Sequence, residues 1–443
     1  MFVRPAWLTP TRTYLTQVGF ASMAYALAAT LQIVYQVQVV GLTPIQLVLV
    51  GTVLEATVFF SEIPTGIVAD QYSRRLSIII GAVLSGLGFM IQGFIPTFAA
   101  ALVCSVVWGI GFAFISGAGQ AWLVDEIGRE NALPALTRAR QLDMVVTIVG
   151  ILIAGTLGVF YLGLPLIIAG AVFLLLAVFL TLFMTENGWS PTPREERETF
   201  ADMGRQLVTG VRAIRNNRVV LTLVAVALFV GLSSEAFDRL WTDRILTDFN
   251  LPPIFGVDPD VAWFTGIALV GTLFSLIISL TVNRVSKRAM NDRHPNRLLG
   301  GLMGVQVLGI LCMGVSPWLG LALGGMWLRD AARDLAYPVQ TAWMNRHLET
   351  NARATVMSMS SQVDAFGQVA GGPSLGAVGS RWGLTAAIAG SAAVLTPAIL
   401  LFLRLRPPTR KENKAVEDEA AAEGETPAVE GESPAAEPGR TDA

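Results

Sequence analysis

The feature that most constrains this chain is the spacing of its charges. Apolar stretches of about twenty residues alternate with short basic clusters over most of its length. A helix rising about 1.5 Å per residue needs a stretch of that length to cross the hydrocarbon of a bilayer. Charged residues make up 14% of the chain against 53% hydrophobic, where a soluble domain carries about a quarter. The mean hydropathy of +0.57 agrees. A net charge of −2 gives no basis for nucleic-acid binding.

The pattern predicts an all-α integral membrane protein with twelve spans, near residues 14–40, 47–69, 76–95, 98–123, 142–161, 164–184, 219–246, 262–282, 298–316, 318–345, 355–379 and 384–404. Basic loops stay cytoplasmic. One alternate set of loops holds Arg74 and Arg75; Arg129, Arg138 and Arg140; Arg194 to Arg218; Arg284 to Arg297; and Arg346 with Arg353. The opposite set is almost bare, with Arg381 the clear exception. Both termini are therefore expected in the cytoplasm, and the stretch after Arg4 and Arg12 reads as an uncleaved first span.

Residues 185–218 are polar, with Pro191, Pro193 and the run Arg194 to Glu198, and read as a cytoplasmic linker with an amphipathic helix over 200–214. It divides two expected six-helix bundles, residues 1–184 and 219–405. The acidic tail, 406–443, is too poor in large apolar residues to bury a core and is expected to be disordered. An internal repeat supports the division. Trp122, Gln141, Asp143, Gly150, Gly155 and Gly158 recur 221 residues later as Trp343, Gln362, Asp364, Gly371, Gly376 and Gly379. Asp70, Arg74 and Arg75 are echoed by Asn283, Lys287 and Arg288, 213 residues on.

The sharpest local signal is Glu62-Ile63-Pro64-Thr65-Gly66 followed by Asp70, Ser73, Arg74 and Arg75, between spans two and three. Gly66 is expected to allow close helix approach. Asp70 is expected to pair with Arg74 or Arg75, a charge cluster able to latch one conformation. On these residues the chain resembles the major facilitator superfamily. The match covers about residues 12–405, and Ser73 stands where that motif usually has glycine. The resemblance implies a conformational switch built from Gly66, Asp70, Arg74 and Arg75, with Asp125 as the acid at the end of span four. The run Ser116 to Asp125 resembles bacterial drug-efflux-like members. Two elements of drug/proton antiporters are absent: an arginine within span four, and a Gly-Pro pair in span five. A related run, Gly367 to Gly376 with Pro373, stands in span eleven instead.

Ionisable residues at hydrocarbon depth are functional candidates by default. Glu55 lies about 12 Å into span two, and Glu62 shares its helix face. Span seven holds Glu235, Asp238 and Arg239 on one face. Span ten holds Arg329, Asp330, Arg333 and Asp334, which must face a cavity or neighbouring helices; one arginine is expected to meet Asp334 or Asp364 of span eleven. These ten residues are the proton-coupling or substrate candidates. Tyr25, Gln32 and Gln36 share a face of span one suited to a wet cavity, and Trp108, Phe112, Trp327 and Tyr337 are candidate apolar walls.

No catalytic, cofactor or metal constellation is legible. Cys104 and Cys312 lie in apolar segments, and His294 and His347 are far apart in charged loops. A membrane enzyme therefore has no sequence support, and an ATP-driven pump lacks its phosphate-binding motif. The expectation is a secondary transporter, monomeric, in a bacterial-type plasma membrane, taking a small molecule, with protons as coupling ion and lipid as its surroundings. Proton-coupled efflux of a hydrophobic or amphipathic compound leads. Uptake or exchange of a polar or anionic metabolite stands second, on Arg329 and Arg333. A receptor or scaffold stands third.

Overall fold

The computed structural model describes residues 7–189, 200–254, 256–291, 295–348 and 350–405. Among them every element is a helix, apart from an isolated bridge between Ile254 and Val257. In chain order these are α1 (Pro10–Gln38), α2 (Pro44–Gln71), α3 (Arg74–Phe94), α4 (Phe98–Ile115), α5 (Ala118–Ile127), α6 (Arg129–Gly158), α7 (Leu164–Phe183), α8 (Phe200–Asn216), α9 (Arg218–Asp248), α10 (Pro259–Asn291), α11 (Pro295–Val315), α12 (Leu319–Arg346), α13 (Thr350–Trp382) and α14 (Leu384–Arg404). The run Arg194 to Glu198, His294, the side chains of Asn283, Lys287 and Arg288, and the tail from Arg406 lie outside the described residues.

Local chemistry sets the helix starts. Thr9, Ser73 and Thr97 each accept a backbone N–H with the side-chain hydroxyl, and Asn217 accepts two. Pro10 and Pro44 occupy the first turn, where their missing N–H costs nothing.

Several sequence-based boundaries are corrected. The fourth span is not one helix: the chain breaks at Ser116 and Gly117, where Gly117 adopts φ 74°, a left-handed turn that favours glycine. The fifth helix begins at Arg129, so Arg129, Arg138 and Arg140 are helical rather than in a loop. The same holds for the basic residues up to Asn291 in α10, and for Arg353 and Arg381 in α13. Arginine and lysine are good helix formers, so these helices run on past their apolar portions.

Ten segments among the described residues are long and apolar enough to cross a bilayer, α4 and α5 counting as one. The protein is a multi-pass membrane protein. α12 and α13, at 28 and 33 residues, are long enough as well, but α12 carries four charges in mid-helix and α13 is rich in Ser, Gln and Gly.

Two buried apolar clusters organise the packing. One centres on Phe89, Trp122 and Phe173, from α3, α5 and α7. The other centres on Phe237, Met303, Trp343 and Phe402, from α9, α11, α12 and α14, and takes in Leu31 and Val48. Small residues let the backbones approach, as lipid-embedded helices require. A methyl on Gly150 would sit 2.6 Å from Ala26 Cβ, and one on Gly371 would sit 2.2 Å from Leu232 O. Gly155 packs on Thr265 and Gly376 on Val48; Gly158 lies against Leu31 and Val261, Gly379 against Leu240 and Pro44. The repeated glycines thus occupy matching places on different helices.

Candidate functional site

A cavity of about 1000 Å³ lies among α1, α6, α9, α10 and α12. Its α1 and α6 wall is mainly apolar and neutral, with Ala26, Ala29, Ile33, Val34, Met144, Thr147 and Ile151. The opposite wall carries Asp238, Arg329, Asp330, Arg333 and Asp334 beside Trp241, Phe264, Trp327 and Tyr337. One end is closed. There Gly155 and Gly158 pack on Thr265 and Val261, and Gln38 donates to Asp260. At the other rim, Arg140 is 72% exposed and pairs with Asp143 at 3.0 Å.

The charged wall is a connected network. Buried Arg329 meets Asp238 at 3.0 Å and Asp330 at 2.8 Å, and its guanidinium lies 4.4 Å from the centre of the Phe237 ring. Arg333 reaches the other oxygen of Asp238 at 3.5 Å. Asp334 accepts from Ser275 at 2.8 Å. The sequence-based pairing of an arginine with Asp334 or Asp364 is therefore corrected. Both arginines turn to Asp238, because α9 faces that side of α12, and Asp364 accepts from Gln368 of its own helix at 2.9 Å.

The remaining acids lie outside this cavity, at the seam of α2, α9 and α13. Glu235 and Arg239 pair at 2.9 Å, buried against α2 where Gly51 leaves the room. Glu55, one turn along α2, lies within electrostatic reach of Glu235, Arg239, Asp238 and Asp364. Exposed Glu62 accepts from Gln362 at 2.6 Å, tying α2 to α13.

The polar face of α1 is also corrected. Gln32 is buried and donates to Gln92 Oε1 at 2.9 Å, and Gln36 is fully buried. Neither lines the cavity; both turn inward, while Ala26, Ala29, Ile33 and Val34 face it. Tyr25 packs on Phe173, Phe89 and Trp108 and borders a smaller side chamber. Trp327 and Tyr337 line the cavity, whereas Trp108 and Phe112 do not.

At the α2–α3 junction Arg74 reaches Asp125 at 2.6 Å, a close ion pair rather than an aligned hydrogen bond, with Asp70 at 3.8 Å. Arg75 instead donates to Thr181 O at 2.6 Å. A methyl on Gly66 would meet no atom within 4 Å, so its expected role in close helix approach is not supported.

The sequence model of the Major Facilitator Superfamily matches residues 13–328 and, overlapping, 242–437. The chain belongs to the major facilitator superfamily. An uncharacterized MFS-type transporter of Bacillus subtilis (strain 168), YxaM, is 24% identical over 364 residues, 81% of this chain and 86% of that protein. The fold is similar to solved transporter structures at low identity. The nucleoside transporter NupG gives a TM-score of 0.70 at 14% identity, covering 90% of this chain and all of that one. A peptide transporter, POT, crystallised with sulfate, gives 0.69 at 15%, covering 89% and 93%. These relatives are transporters.

Several residues in this superfamily member escaped the sequence reading. Glu186, just past α7, accepts from Ser73 Oγ at 2.6 Å and Arg75 N at 3.0 Å, so Ser73 both caps α3 and binds this acid. Glu126 accepts from the N–H groups of Asn187 and Gly188. Asp243 and Arg244, buried in α9, carried a legible signal as charges within a span. Gly51 and Glu186 carried none, since their roles depend on which helices meet.

Proposed function

We propose that this protein is a secondary active transporter that carries a small hydrophobic or amphipathic molecule outward against proton influx. The observation that carries this is the cavity, closed at one end, with a mainly apolar α1–α6 wall bordered by the Arg140–Asp143 pair and a wall of paired charges opposite. An amphipathic molecule matches such a two-sided wall. The architecture proposed is twelve spans in two six-helix halves, residues 1–184 and 219–405, joined by the 185–218 linker, with α12 and α13 completing the count. The matching glycine contacts support it: Gly155 and Gly376 each join a helix of one half to a helix of the other. The halves rock around the central site to alternate access. Both termini then lie in the cytoplasm of a bacterial-type plasma membrane, and the cavity faces inward at the Arg140 rim. The protein works as a monomer.

Glu55 is the proposed proton-coupling acid, because it faces the Glu235–Arg239 pair across the seam between halves. Uptake of an anionic metabolite loses its main support, since Arg329 and Arg333 already hold carboxylates. The test is transport by purified protein in vesicles: efflux of a lipophilic dye that rises with an imposed proton gradient and ends with a protonophore. Dye flux indifferent to the gradient would overturn proton coupling. No gradient-dependent flux of any compound in a broad ligand set would overturn transport.

A further inference from the structure

A side chamber of about 450 Å³ runs between α1, α5 and α6. It shares Ala26, Ala29, Asp143 and Thr147 with the central cavity, so the two spaces adjoin. The break in the fourth span forms it. Gly117 ends α4, and α5 restarts with first-turn N–H groups that have no acceptor within the helix. Gly119 makes room for the amide of Gln17: a Cβ there would lie 2.8 Å from Gln17 Nε2.

Buried polar atoms without a partner occur at several places among the described residues, and one of them opens into this chamber. Gln17 is 5% exposed, and its Oε1 has no hydrogen-bond partner. About 12 Å further along α1, the buried Tyr25 hydroxyl lies at the chamber's other end, with Ser85 Oγ and Trp108 Nε1 behind it, near enough to interact with it and off the chamber wall. Buried polar groups are almost always paired, because an unpaired one forfeits its hydration. The unpaired Gln17 acceptor at one end of the chamber, with the Tyr25 hydroxyl at the other, points to a ligand that pairs with them.

Their chemistry fixes its class. Among the described residues the only charged side chain lining the chamber is Asp143, whose oxygens already take Ser22 at 2.7 Å and Arg140 at 3.0 Å. A charged ligand group would find no counter-ion. The polar atoms offered at its two ends are an amide acceptor, Gln17 Oε1, and the Tyr25 hydroxyl, which both donates and accepts. Val18, Ala21 and Ile115 supply apolar contact between the two ends. We propose that the chamber is a binding subsite for a neutral, hydroxyl- or amide-bearing group. This rests on reading the central cavity as the substrate site, and narrows its substrate to molecules with an uncharged hydrogen-bonding arm.

The probes are 4-nitrophenyl β-D-glucoside and 4-nitrophenyl phosphate, which share a chromophore and differ in charge. Binding is read by quenching of tryptophan fluorescence in the full-length protein in nanodiscs. The parent is expected to bind the glucoside saturably and more tightly than the phosphate. Gln17→Leu and Tyr25→Phe, each checked for thermal stability, should weaken glucoside binding about tenfold, the cost of one lost buried hydrogen bond. No saturable glucoside binding, equal or tighter phosphate binding, or parent-like affinity in a folded variant overturns the proposal. Vesicle flux is measured separately. Glucoside bound but never carried, with no other compound moved, keeps the chamber and removes the transport reading. Flux of another compound without glucoside binding removes the chamber alone.

Discussion

Arg74, the first residue of α3, meets Asp125 of α5 at 2.6 Å, while Asp70, one turn before, stands off at 3.8 Å and is largely exposed. The pair therefore fastens the short helix after the break to the start of α3. Asp125→Asn should lower stability by about 1 kcal/mol, in the range of a partly exposed pair, and Asp70→Asn by much less. Thermal unfolding of the two variants in detergent checks the order. Equal losses would mean that Asp70 is the partner that matters.

Glu186 extends the same junction. Its carboxylate takes the Ser73 hydroxyl and the Arg75 N–H, both at the start of α3. Glu186→Gln keeps the shape but weakens two charge-assisted bonds, and should cost about 1 kcal/mol. Ser73→Gly removes both the helix cap and the Glu186 bond, and should cost about as much. Combining the two should cost less than the sum, since each removes the same contact. Additive losses in a thermal-unfolding double cycle would separate the two residues.

How much was legible depends on the scale of the signal. Membrane spans, the amphipathic segment that became α8, and the charged face of α12 follow from local pattern. The break at Gly117 interrupts an unbroken apolar run, so hydropathy passes over it, although Ser116-Gly117-Ala118-Gly119 is a turn-prone sequence. Gln32 and Gln36 were misplaced because a polar stripe faces a wet cavity or a polar neighbour equally well by spacing. For Gln32, Gln92, sixty residues away, decides for the neighbour; Gln36 is buried beside it with no hydrogen-bond partner for its amide. The partners of Arg329 and Arg333 were wrong for the same reason: facing helices are set by packing, not by sequence order.

Two glycines of α2 make opposite predictions. A methyl on Gly51 would lie 1.6 Å from Glu235 Oε1 and 2.3 Å from Arg239 Nε, so Gly51→Ala must push a buried ion pair off α2. That should cost about 1–3 kcal/mol and reduce transport sharply. At Gly66 the methyl meets nothing within 4 Å, and replacing a helical glycine by alanine should be neutral or slightly stabilising. Parallel expression, thermal unfolding and vesicle flux for Gly51→Ala and Gly66→Ala compare them directly. A stable, active Gly51→Ala would show that the seam yields easily.

Asp238 holds both arginines of α12. Asp238→Asn leaves buried Arg329 with Asp330 alone and frees Arg333, and should destabilise by about 1–3 kcal/mol. The double variant Asp238→Asn/Arg329→Gln removes a charge of each sign and should recover part of that loss. No recovery in the double variant would mean that Arg329 is held by Asp330 and its contact with Phe237.

Proton coupling makes the last prediction. Glu55 sits beside a buried pair whose members, Glu235 and Arg239, belong to the helix that packs against it. When Glu55 is ionised, repulsion from Glu235, Asp364 and Asp238 outweighs attraction to Arg239 and loosens α2 from its neighbours. When Glu55 is protonated, that repulsion is gone and the seam is freer to close. Glu55→Gln fixes the second condition, so gradient-driven flux should fall at least about tenfold, while exchange of substrate across the membrane without a gradient continues. Asp364 accepts from Gln368 within α13 and feels Arg333 only at longer range, so Asp364→Asn should matter less than Glu55→Gln. Flux of labelled substrate in vesicles, with and without a proton gradient, separates drive from exchange. Loss of both in Glu55→Gln would make the residue a substrate or structural group, and a full gradient response would remove it from coupling.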